Sequence, residues 1–159
     1  MAANKNWPRW IFASLTKWFD DHRDGVEMYV EGDDANLSAL ADYIEFRFNG
    51  PMMEESSKGW WRIDVIINIL VVSKRNDRSL HTLPTNLGKV AAAFTTNIPI
   101  YKFGNNVDDN RTELLGCMTL FDSIEITQLG QVEPNVKELQ AMVQGHYRMH
   151  IEETANGTT

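Results

Sequence analysis

Apolar residues recur every three or four positions near the start of the chain. Trp7, Ile11, Leu15, Trp18 and Phe19 form one stripe, the spacing of an amphipathic helix. The pattern predicts a helix from about Pro8 to His22, ended by Asp24-Gly25 because glycine readily takes the positive φ of a helix stop. Alternation over Val26–Glu31 predicts a strand. Gly32–Asn36 has loop chemistry, and Leu37–Ala41 is too short to assign. In Tyr43–Phe48, Ile44, Phe46 and Phe48 point one way and Glu45 and Arg47 the other. Asn49-Gly50-Pro51 is expected to break this strand, leaving Met52–Gly59 polar and mobile.

Trp60–Val72 is the longest strand-like run of the first half. Its odd positions, from Trp61 to Val71, are continuously apolar, whereas its even positions mix Arg62, Asp64 and Asn68 with Ile66 and Leu70. Such a strand is central, with its second face half covered. After the charged connection Ser73–Ser79, a second helix is predicted over Leu83–Thr95. Leu83, Leu87, Val90, Ala91 and Phe94 would be its buried stripe, and Pro84 its first turn. Ile98–Phe103 contains Pro99 and therefore reads as an edge strand. Gly104–Glu113 reads as an exposed loop, and Leu114–Phe121 and Ser123–Gln128 as two strands. Leu139–Ile151 alternates with period two, although Val136, Leu139, Val143 and Tyr147 also fit a helix. Gly145 in mid-pattern favours the strand, which would close a long hairpin with Ile124–Val132 through Glu133-Pro134-Asn135.

These elements predict an α+β fold: a single domain over residues 1–159, with a mainly antiparallel or mixed sheet, two flanking amphipathic helices and a long C-terminal β-hairpin. Residues 1–7 and 152–159 are expected to be flexible. A chain of 159 residues with 43% hydrophobic residues can build one core. The formal net charge is −7, which disfavours gripping a phosphate backbone. The single cysteine, Cys117, cannot form an internal disulfide and reads as a small core residue. No run approaches the length of a membrane span, and no apolar signal core follows Met1.

Catalytic signatures are not found in the sequence. It has no phosphate-cradling glycine loop, no nucleophile elbow and no His-Glu-x-x-His. His146 and His150 have the one metal-like spacing, but on a strand they lie about 13 Å apart, too far for one ion. Asp108 and Asp109 lack the alternation of a calcium loop. Trp60 and Trp61 must point to opposite faces of a sheet, one towards the core and the other under a helix or at a subunit contact. The residues expected on protein interfaces are Trp60, Arg75, Arg78, Asp108, Asp109, Arg111, His146, Arg148 and His150. No catalytic residue, metal or cofactor is expected.

The element order from Trp10 to Ile151 resembles that of the tail terminator, or tail-completion, proteins of long-tailed bacteriophages. The stretches Trp61–Ile67, Leu87–Phe94 and Gly145–Ile151 carry most of the likeness. The resemblance implies a non-enzymatic virion protein. It would form a hexameric ring at the head-proximal end of the tail tube, end tube polymerisation and dock the head connector. Its partners would be copies of itself, the tube protein and a connector or neck protein, with DNA passing through the ring unrecognised and no membrane involved. It would be found in the host cytoplasm during assembly and in the virion afterwards. Another head–tail neck or adaptor protein is an alternative, as is a small enzyme with a site assembled from scattered residues around Cys117 or His146.

Overall fold

The computed structural model describes residues 4–31, 42–74, 79–104, 111–131 and 138–152. Helix α1 spans Trp7–Asp21, and its stripe is buried: Trp7, Trp10, Ile11, Leu15 and Phe19. Asp24 and Gly25 end it with positive φ angles of 53° and 78°. Strand β1 (Met28–Val30) then runs parallel to β2 (Asp42–Ser57).

β2 is longer than the sequence suggests, because Asn49-Gly50-Pro51 does not break it. The ladder to β3 (Trp60–Lys74) passes from Asn49↔Ile66 to Met52↔Asp64, so Gly50 and Pro51 share one partner position. This extra residue is a bulge. It needs glycine: Gly50 has φ +111°, and a Cβ there would lie 3.1 Å from the Asp64 carbonyl oxygen. Met52–Ser57, expected to be mobile, is therefore strand. The turn to β3 is held by the Gly59 N–H donating to Glu55 Oε1 at 3.0 Å, a bond that holds the Glu55 carboxyl below its usual pKa.

Helix α2 spans Ser79–Ala93, starting earlier than Leu83, so Pro84 lies inside it rather than at its first position. The sheet is completed by β4 (Asn97–Phe103), β5 (Arg111–Gln131) and β6 (Glu138–Glu152). The two strands expected over Leu114–Phe121 and Ser123–Gln128 are one. Asp122, at φ 70°, marks an irregularity inside it rather than a turn. Arg111–Glu113 is strand, not loop, since Phe103 pairs with Arg111 and Lys102 with Glu113. The expected final strand is present, its described part beginning at Glu138.

The sheet order is β1-β2-β3-β6-β5-β4, with every pair antiparallel except β1–β2. This is a single-domain α+β fold. Both helices pack on the same face of the sheet rather than on two. Their apolar stripes join Ile63, Val65, Ile67, Ile69 and Val71 of β3 and Ala141, Val143, Tyr147 and Met149 of β6 in one core. Trp7, assigned to a flexible end by its position, is only 1% exposed and meets Trp61 edge-on at 5.8 Å. Trp18 Nε1 donates to the Ala93 carbonyl at 2.9 Å, tying the two helices together. Buried Tyr147 donates its hydroxyl to the Thr95 carbonyl at 2.8 Å, and burial pushes that hydroxyl's pKa up.

Candidate functional site

Strand alternation sends the even positions of β3 and β6 to the face that the helices do not cover. There Arg62 faces His150, Asp64 faces Arg148, and Ile66 faces His146. Asp64 is the centre of this group. It is 5% exposed, and a lone buried carboxylate would be costly. Its Oδ1 accepts from Arg148 Nε at 2.7 Å and from His146 Nε2 at 2.9 Å. Its Oδ2 lies 3.1 Å from Arg62 Nε, and Arg62 also donates to Glu54 at 2.6 Å. Burial alone would raise the Asp64 pKa. The hydrogen bonds and charges of Arg148 and His146 outweigh it and hold the carboxyl below the usual range.

Phe121 of β5 completes the cluster. The Arg148 guanidinium lies 4.3 Å from its ring centroid, and the His146 ring is 5.2 Å away. Arg148 is thus fixed by a carboxylate on one side and an aromatic face on the other. The rim of this cluster borders a shallow groove lined by Cys117, Thr119, Phe121, Arg148 and His150.

The cluster fixes three strands relative to one another. Asp64 has both oxygens committed to cations, so it is not placed as a free general base. Among the described residues, no group of three or more His, Cys, Asp or Glu side chains could hold a metal ion, and no helix is long and apolar enough to cross a membrane.

Of the residues singled out in the sequence, the fold brings His146 and Arg148 together on Asp64, with His150 opposite Arg62. Trp60 stands apart, 45% exposed at the start of β3, while Trp61 faces the core. Arg111 opens β5 opposite Phe103. Arg75, Arg78, Asp108 and Asp109 lie outside the described residues, as do the centre of the Ser73–Ser79 connection and residues 105–110 of the expected loop. Cys117 is exposed, not a core residue. It pairs with Pro99 and alternates with fully buried Met118, so its side chain takes the outer face. Asp64 and Phe121 were not singled out. A carboxylate in the middle of an apolar strand was the available signal for Asp64, but its partners come from a strand about eighty residues away.

A second class of feature lies at the sheet edges. The outer edge of β4 is covered by α1. Ser14 Oγ accepts from the Tyr101 N–H at 2.9 Å, Arg9 Nη1 donates to the Gly104 carbonyl at 2.9 Å, and Trp10 Nε1 donates to the Phe103 carbonyl at 3.2 Å. β4 itself covers β5 only as far as Thr119 and Leu120. Beyond Leu120, no described strand pairs with the side of β5 that faces away from β6. Ile126 and Leu129 on this stretch are each 46% exposed.

The described residues define an α+β sheet protein with a cross-strand ion cluster on the face away from the helices, and with a stretch of β5 that no described strand pairs on its outer side. No known family model matches the chain, and no curated protein matches it.

Proposed function

We propose that this chain is a structural subunit that works by self-assembly, forming a hexameric ring at the head-proximal end of a phage tail tube. There it ends tube polymerisation and docks the head connector or another neck protein. The observation that carries this reading is the surplus of strand. β5 continues past the stretch that β4 covers, with exposed Ile126 and Leu129 and no described strand on its outer side, and an unpaired strand edge is a template for pairing with another chain. The Asp64–Arg148–Phe121 cluster, which links three strands, supports the same reading, because a sheet that carries neighbours on its edges must hold its strands in fixed register. The acidic balance, −7 overall, suits a ring through which DNA passes without being bound.

The contact surfaces of this reading include the C-terminal hairpin, Trp60, and the outer-face residues His146, Arg148 and His150. The Ser73–Ser79 and Gly104–Glu113 segments are proposed contacts from the sequence alone. Native mass spectrometry with negative-stain imaging of the purified protein tests the reading. The expected species has about six times the 18.2 kDa chain mass and a central hole. A protein that stays monomeric alone and on isolated tail tubes would overturn it.

One observation favours a second reading, a small enzyme: Cys117, Arg148 and His150 line the same groove. Replacement of Cys117 by serine with loss of biological function in an otherwise folded protein would favour it over the ring.

A further inference from the structure

The two incompletely covered strands are complementary in position. β1 covers β2 only at its N-terminal end, through Ile44–Phe46. From Arg47 on, no described strand pairs with the outer side of β2. β2 and β5 lie on opposite sides of the β3–β6 pair. The uncovered part of β2 runs beside Trp60–Asn68 of β3, which pairs with Gln144–Glu152 of β6. The uncovered part of β5 runs beside the other end of β6, Leu139–Gln144. The two open edges are therefore diagonal: opposite sides of the sheet, opposite ends of the strands.

Each open edge carries its own exposed apolar residues. Met52 (54%) and Trp60 (45%) belong to the β2–β3 hairpin, and Ile126 and Leu129 (46% each) to β5. A two-fold contact of β5 with β5 would bury one patch and leave the other in water. A head-to-tail contact uses both.

We infer that the β5 edge beyond Leu120 of one copy pairs antiparallel with the β2 edge beyond Phe46 of a second copy, continuing the sheet from subunit to subunit. The inference rests on the self-assembly reading and names its contact. β3 and β5 run in the same direction, each being antiparallel to β6, and β2 runs opposite to β3. A neighbour in the same orientation, shifted along the strands, thus presents its β2 antiparallel to β5. The shift clears β4 of the first copy below and β1 of the second above.

Charge disfavours one nearby register. With Leu129 beside Met52, counting along both strands puts Thr127 beside Glu54 and Glu125 beside Ser56. The same count places Asp122 beside Gly59 and Lys58 beside Ser123. Two residues out of this register, Glu125 meets Glu54, and like charges directly opposed are unfavourable. The contact is heterologous, so repetition closes into a ring or runs on as a filament.

The test is a cysteine pair in the full-length chain. Met52→Cys and Leu129→Cys are combined in a Cys117→Ser background, oxidised, and run on a denaturing gel beside each single variant and a native mass spectrum. Both substituted side chains are exposed, and circular dichroism confirms that each variant is folded. The expected result is a ladder of covalent oligomers from the double variant and monomer from each single one. A dimer from Leu129→Cys alone would overturn the inference in favour of two-fold β5 pairing. A hexamer in the native spectrum without a ladder would overturn the contact and leave the ring standing. A ladder on open filaments would sustain the contact and overturn the ring. Neither ladder nor oligomer, with or without isolated tail tubes, would overturn both.

Discussion

Ser14 in α1 and Tyr101 in β4 exchange two hydrogen bonds. The Tyr101 N–H donates to Ser14 Oγ at 2.9 Å, and the Ser14 hydroxyl donates to the Tyr101 carbonyl at 3.3 Å. A helix side chain thus stands where a neighbouring strand would be, and it blocks β4 as a pairing edge. The edges of β5 and β2 gain significance from this contrast, since α1 shields β4 while no described strand pairs with these two stretches.

Ser14→Ala removes the hydroxyl and leaves the Tyr101 backbone N–H without that acceptor. The loss should destabilise the fold by about 1–3 kcal/mol, read as a lower urea midpoint with unchanged slope. Because it unmasks part of the β4 edge, the variant should also aggregate more on heating, measured by light scattering. No change in either readout would show that α1 does not guard this edge.

Gly145 lies against Phe94. A Cβ at Gly145 would come within 2.6 Å of the Phe94 ring. Gly145→Ala should therefore cost about 1–3 kcal/mol through overpacking. Phe94→Leu in the same chain should recover part of that loss, giving a non-additive cycle. Additive single and double variants in chemical denaturation would contradict the contact.

Asp64 sets the acid sensitivity of the outer face. Its folded-state pKa is depressed by Arg148 and His146, so the stability it contributes is present above the unfolded carboxylate value of about 4 and lost as pH falls through the lower folded value. The wild-type unfolding free energy should fall on going from pH 6 towards pH 3, and Asp64→Asn should flatten that slope. At neutral pH, Asp64→Ala should cost about 1–3 kcal/mol, because it removes the acceptor shared by Arg148, His146 and Arg62, whose own side chains remain partly hydrated. An Asp64→Asn protein with the wild-type pH profile would show that the cluster is not coupled to folding.

Cys117 is exposed on the outer face. One thiol per chain should react with Ellman's reagent in the native state, at a rate that denaturant raises little. A thiol that reacts only after unfolding would return Cys117 to the core position that the sequence suggests.

The sequence by itself determined the elements whose side chains repeat without interruption. The α1 stripe from Trp7 to Phe19, the buried odd positions of β3 and the period-two pattern of β6 are legible because one face of each meets one core. It also determined that β4, with Pro99, sits at an edge. Tertiary structure decided what local pattern could not carry. The Gly50-Pro51 bulge adds one residue to β2 and inverts its alternation, so the inward residues are Ile44, Phe46 and Phe48 before it and Met53 after it. The irregularity at Asp122 hides the continuity of β5 in the same way. The outer-face cluster depends on registers between distant strands, which place His146 and Arg148 on Asp64 and Phe121 beside both. A register is fixed by burying whole faces at once, so neither that cluster nor the diagonal open edges could be read one segment at a time.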